Sequence, residues 1–169
     1  MNIWTKIKQD GTLEEVPFLM KNGQPYISDH IAKHEINDRW TGKAVIFEPV
    51  IQCFEETRKL LGSPITINSG YRSKEYQDHL KKQGYKTATN SPHCEGAALD
   101  LAIPYGTTYL ALISLLKQAA RNLGLPKPRL GYKEYSYAFV HFDMVYMLFA
   151  PYTNKPNPCP GPWREGVEW

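Results

Sequence analysis

Two short apolar runs, each broken by ionisable residues, constrain this chain more than any other feature. The first is GAALDLAI, residues 96–103, with Asp100 as its one charge. The second is FVHFDM, residues 139–144, which carries His141 and Asp143. Both are rich in residues that suit a buried strand, yet an ionised carboxylate buried without a partner is costly. Side chains alternate along a strand, so Phe139, His141 and Asp143 share one face and Val140, Phe142 and Met144 the other. The two strands can therefore aim polar groups into one cleft. His93, just ahead of the first run, adds a third group to give a His, Asp, His set with a fourth position free for water. That is the ligand count of a catalytic zinc, whereas structural zinc sites are closed by four protein ligands. Each residue also has a plainer reading: a strand carboxylate can pair with Arg or Lys, and a strand histidine can be a hydrogen-bonded core residue.

The rest of the chain supplies helices and strands around these runs. Asp10-Gly11 reads as the turn of an amino-terminal hairpin, and Ser28 as the cap of a short helix through His30, Ile31 and His34. Ile51, Phe54, Arg58 and Leu61 recur at helical spacing, which predicts a helix over about 47–61 ended by Gly62. A β-branched strand over 64–69 leads into Gly70-Tyr71-Arg72, and Ser73 caps a helix that stops at Gly84. A polar loop spans 86–93, and Thr107 can cap a helix over 109–123. Strands follow at 129–132 and 139–147, the pair reading as hairpin-connected. These elements predict an α+β fold with a small antiparallel sheet flanked by helices. A Pro-rich tail with Pro151, Pro156, Pro158, Pro160 and Pro162 is expected to run extended over the surface. The organisation read here is one domain over 1–169: an appendage over about 1–40, a catalytic core over about 45–147, and the tail over about 150–169.

Bulk properties exclude several classes. Hydrophobic residues at 42% and charged residues at 22% describe a globular chain, and a net charge of +3 without a basic run does not suggest nucleic acid. No apolar stretch is long enough to span a membrane, so no membrane partner is expected. The first residues lack the apolar segment and cleavage site of a secretory signal, which predicts synthesis in the cytoplasm. Three cysteines, Cys53, Cys94 and Cys159, read as thiols rather than as a disulfide framework. His30 and His34 stand four apart, but Ile31-Ala32-Lys33 between them lacks the glutamate of a zinc-protease helix, so a surface face is expected.

The literal strings sharpen the reading. SerProHisCysGluGlyAlaAlaLeuAsp, Ser91 to Asp100, resembles the S-x-H-x-x-G-x-A-x-D motif of the zinc D-alanyl-D-alanine carboxypeptidase and L-alanyl-D-glutamate endopeptidase family. Ser69-Gly70-Tyr71-Arg72-Ser73 resembles that family's SGYRS segment, and Phe139 to Asp143 its F-V-H-x-D strand, in the same order. The resemblance implies a Hedgehog-like fold, Zn2+ as cofactor, and His93, Asp100 and His141 as its ligands. It implies Arg72 as the group that stabilises the oxyanion, Tyr71 and Ser91 as substrate-binding residues, and peptidoglycan stem peptides as substrate, cut by a carboxypeptidase or endopeptidase reaction. The glutamate that commonly precedes the second histidine by three residues is replaced by Ala138. Asp143 is then the first candidate for general base, Glu134 the second and Glu95 a third, while Asp143 can instead orient a ligand. With no export signal, lytic chemistry suggests a phage or prophage lysin acting as a monomer on the wall after release or as a virion component. Two alternatives stand beside it: a zinc-bearing wall-binding module without turnover, and a D,D-dipeptidase.

Overall fold

The computed structural model describes residues 3–85, 87–88, 90–132, 138–149, 155, 156 and 158. Glu134 and most of the Pro-rich tail, Cys159 included, lie outside the described residues. The architecture is α+β. Strand β1 (Ile3–Ile7) pairs antiparallel with β2 (Leu13–Pro17) across the Asp10-Gly11 turn, and parallel with β5 (Val45–Phe47). That parallel pairing joins the amino-terminal hairpin to the rest of the molecule, and Trp4 and Ile7 share one buried cluster with Phe47 and Phe54. Strands β3 (Leu19–Lys21) and β4 (Gln24–Tyr26) form a second small hairpin.

The helix expected from Ser28 shrinks to one turn, α1 (Lys33–Ile36), with Ala32 at its start. Ser28 and His30 are drawn instead to Glu55, whose carboxylate accepts from the Ser28 hydroxyl and from the His30 N–H at 2.9 Å. Helix α2 (Glu48–Leu61) begins with Pro49 in its first turn, where a missing N–H is harmless, and ends at Gly62 in the left-handed region with φ 71°. Its buried positions Val50, Cys53, Phe54 and Thr57 keep helical spacing. They pack on α4 (Tyr109–Asn122), which buries Leu112, Ile113, Leu116, Ala119 and Ala120. The cap of α4 is Thr108 rather than Thr107, its hydroxyl accepting from the Ala111 N–H at 3.1 Å. Ser73 caps α3 (Lys74–Lys82) in the same way, accepting from Tyr76.

The sheet that organises the molecule has four strands, β6 (Ile67–Ser69), β7 (Ala98–Ala102), β9 (Phe139–Asp143) and β8 (Arg129–Gly131), in that order and antiparallel throughout. Strand β9 ends at Asp143, short of the extent expected, because the chain turns at Met144 into a single 3-10 turn over Val145–Leu148. No helix among the described residues is long and apolar enough to cross a membrane.

Candidate metal centre

His93 owes its position to a short 3-10 turn, Pro92–Glu95. Ser91 caps that turn, its hydroxyl accepting from the His93 N–H at 3.3 Å, and Gly96 closes it with φ +66°. A Cβ at Gly96 would lie 2.8 Å from the Val45 carbonyl oxygen, so the closing residue has no room for a side chain. The His93 ring then meets the Gly70 carbonyl, Nδ1 to oxygen 2.7 Å. A carbonyl only accepts, so Nδ1 carries the proton and Nε2 is left with a lone pair. Gly70 in turn has to be glycine, because a Cβ there would meet the Ile36 Cα at 2.6 Å.

Asp100 and His141 are direct cross-strand partners in the β7–β9 ladder. His93 Nε2 lies 3.2 Å from Asp100 Oδ1 and 3.2 Å from His141 Nδ1, and His141 Nδ1 lies 2.8 Å from Asp100 Oδ1. The far nitrogen of His141, Nε2, faces Asp143 Oδ2 at 3.0 Å, which fixes its proton on that side. Three donor atoms thus converge with their lone pairs toward a common point, an arrangement that needs a cation or a proton among them. Burial opposes charge on His141, but hydrogen bonds to Asp100 and Asp143 and the charges of both outweigh it and push the imidazole up to about 9. Burial drives His93 the other way, toward the neutral ring. Asp100 is held ionised, well below the usual carboxylate range, because the two histidines overcome the effect of its burial. Zinc bonds of about 2.0–2.1 Å meeting at a tetrahedral angle separate neighbouring donors by about 3.3 Å. The separations of 2.8–3.2 Å found here fit one face of such a tetrahedron. His93, Asp100 and His141 are therefore a group that can hold a metal ion, all three buried.

Asp143 sits behind this group rather than beside it. It is fully buried, and its Oδ2 accepts from His141 Nε2 and from Arg129, whose Nε and Nη2 are both 2.9 Å away. The His141 ring stands between Asp143 and the converging donors. Arg129 is the cross-strand partner of Asp143 in the β8–β9 ladder, a functional residue that the sequence pattern did not single out. Its signal was an arginine opening a strand that must pair with a strand carrying a carboxylate.

Arg72 borders the group. Its Nη2 is 2.9 Å from the Ser69 hydroxyl and 3.3 Å from Asp100 Oδ2, and its backbone N–H is bonded to the His93 carbonyl at 3.2 Å. Arg72, Ser69 and Gly70 also line an open cleft of about 550 Å3, whose walls include half-buried Tyr71 and Tyr76 and exposed Arg39 and Tyr85. The three converging residues do not themselves line it; the cleft reaches them through Arg72 and Ser69. Ser91 is buried, its hydroxyl holds the His93 turn, and it is not among the residues that line the cleft. A further residue missed in the sequence is Asp38, fully buried, which accepts from the N–H groups of Trp40, Thr41 and Ser73.

Residues 29–143 match the peptidase M15 family, which is more than half of the chain and takes in all three converging residues. The chain belongs to the peptidase M15 family. Among solved structures this M15 chain is similar to the L-Ala D-Glu endopeptidase ChiX of Serratia marcescens, at 19% identity and a TM-score of 0.49, covering 60% of this chain and 81% of that one. No curated protein matches it.

Proposed function

We propose that this chain is a zinc-dependent peptidase that hydrolyses peptide bonds in peptidoglycan stem peptides. The observation that carries the reading is the convergence of His93 Nε2, Asp100 Oδ1 and His141 Nδ1, with the other nitrogen of each histidine already engaged by Gly70 or Asp143. A divalent ion held there, zinc by its nitrogen and oxygen donors, would lower the pKa of an attacking water and polarise the scissile carbonyl. Arg72, steadied by Ser69, stands at the junction of cleft and donors and would balance charge developing on the carbonyl oxygen. Tyr71 would help seat the peptide in the cleft.

Asp143 is assigned a positioning role: it fixes the tautomer of His141 and is itself held by Arg129. Asp143 is engaged with His141 and Arg129, so the proton-accepting role passes to the next candidates read from the sequence, Glu134 in the segment before β9 and, after it, Glu95. The reading further takes residues 1–169 as one catalytic domain working as a monomer, of phage or prophage origin.

Digestion of purified peptidoglycan followed by mass analysis of the fragments tests this function. Release of D-alanine would mark a carboxypeptidase and new amino termini an endopeptidase, and Arg72→Ala should retain metal while losing at least about 100-fold in rate. Intact peptidoglycan with full metal content would favour a binding module instead, the reading that Ala138 in place of a glutamate supports.

A further inference from the structure

Trp40 is 57% exposed, an unusual placement for an indole held this firmly. Two rings of α3 support it: His79, with ring centroids 4.5 Å apart at 54°, and Tyr76, 6.3 Å apart at 38°. Scattered surface aromatics need no explanation, but grouped ones do. Tyr76 is also a wall of the cleft, and Tyr85, 64% exposed, lines the same cleft. The aromatic group is therefore continuous with the space that opens on Arg72.

Its position relative to Arg72 is fixed by one buried carboxylate. Asp38 Oδ1 accepts from the Trp40 N–H at 3.1 Å and the Thr41 N–H at 2.6 Å, while Asp38 Oδ2 accepts from the Ser73 N–H at 2.8 Å. Ser73 directly follows Arg72. The loop that presents the indole and the segment that presents the guanidinium are thus tied to the same side chain.

We propose that Trp40, backed by Tyr76 and His79, is a stacking subsite for an N-acetylhexosamine ring of the wall glycan. The proposal rests on the peptidoglycan reading above, in which the stem peptide is attached to such a sugar. A pyranose has flat faces of C–H groups that pack on an aromatic ring, and a rim of hydroxyl and amide groups that needs polar neighbours. The cleft supplies those beside Tyr76, with Arg39 and Asn37 among its lining residues.

The test uses the full chain and two readouts. The first is binding of tetra-N-acetylchitotetraose, a sugar with no peptide, followed by NMR at millimolar concentration. The wild type should bind, Trp40→Ala should weaken binding about tenfold or more, and Trp40→Phe should keep most of it. The second is kcat/KM on a disaccharide-linked stem peptide against the free stem peptide. The preference of the wild type for the sugar-linked form should fall about tenfold in Trp40→Ala, with the free peptide cut as before. No sugar binding by the wild type, equal binding by Trp40→Ala, or an equal loss on both peptides would each overturn the subsite. Failure of the wild type to cut either peptide would overturn the peptidase reading instead, and the chitotetraose titration would still decide the subsite.

Discussion

Replacing Asp143 by Asn separates its two possible roles. The change is nearly isosteric and removes the charge alone. In the native protein Asp143 has no exposed surface and Arg129 is only 7% exposed, joined by contacts of 2.9 Å. Removing one charge from a buried pair costs about 3–5 kcal/mol, because the other stays buried without its counter-charge. The asparagine oxygen can still accept one hydrogen bond, so the lower end, about 3 kcal/mol, is expected here. His141 meanwhile loses the carboxylate that orients it and raises its basicity, which should weaken metal binding about 10- to 100-fold. Urea unfolding of the metal-free protein measures the first effect free of ligand linkage, and competition with a chromophoric chelator measures the second. Turnover at saturating zinc should then recover much of its loss. Full stability and full zinc affinity combined with a rate down by about 100-fold would refute this account and return Asp143 to the role of general base.

The metal assignment itself predicts close to one zinc per chain, lost in the His93→Ala, His141→Ala double variant; stoichiometric metal retained there would sink it. Gly70→Ala places a Cβ 2.6 Å from the Ile36 Cα, so it should cost about 1–3 kcal/mol and also lower zinc affinity by moving the carbonyl that holds His93. A variant as stable and as zinc-competent as the wild type would show that this approach is not tight. Burial would raise the Asp38 carboxyl, but donors from Ser73 and Thr41 outweigh it and hold it below its ordinary value. A depressed carboxylate gives stability that is present above the unfolded pKa of about 3.9 and lost as pH falls through the folded value. Asp38→Asn should therefore destabilise the protein by about 1–3 kcal/mol at pH 7 and flatten the acid limb of its stability curve, and an unchanged acid limb would refute the role.

How much of this was legible in the sequence follows from how local each signal is. The helix α2, the Ser73 cap and the Asp10-Gly11 turn rest on spacing and turn chemistry within a few residues, and all are found where the pattern places them. Ser28 has the chemistry of a cap, yet its hydroxyl goes to Glu55, 27 residues away, and no local pattern announces such a partner. The same holds for Asp38, whose donors span Trp40 to Ser73, and for the close approach of Gly70 to Ile36. The grouping of His93, Asp100 and His141 was visible because buried charge in apolar strands demands compensation and because the literal motifs resemble a known ligand set. For Asp143 the sequence left two roles open, base or orienting group, since strand parity gives its face but not the side of His141 on which it lies.

Register supplies that missing information. Asp100 is opposite His141 in the β7–β9 ladder, and Asp143 is opposite Arg129 in the β8–β9 ladder, while Gly131 faces His141 from β8. A slip of one residue between β7 and β9 would turn the His141 and Asp143 set to the opposite face and put Val140 or Phe142 against Asp100. The Arg129–Asp143 pair opposes that slip from the other edge of β9, because its energy is available in one register only. A buried pair that adds little to net stability against an apolar replacement can still select the alignment in which the two histidines and Asp100 meet. Replacing Arg129 and Asp143 together by apolar residues should therefore leave a stable protein with impaired zinc binding, whereas loss of either one alone should destabilise it.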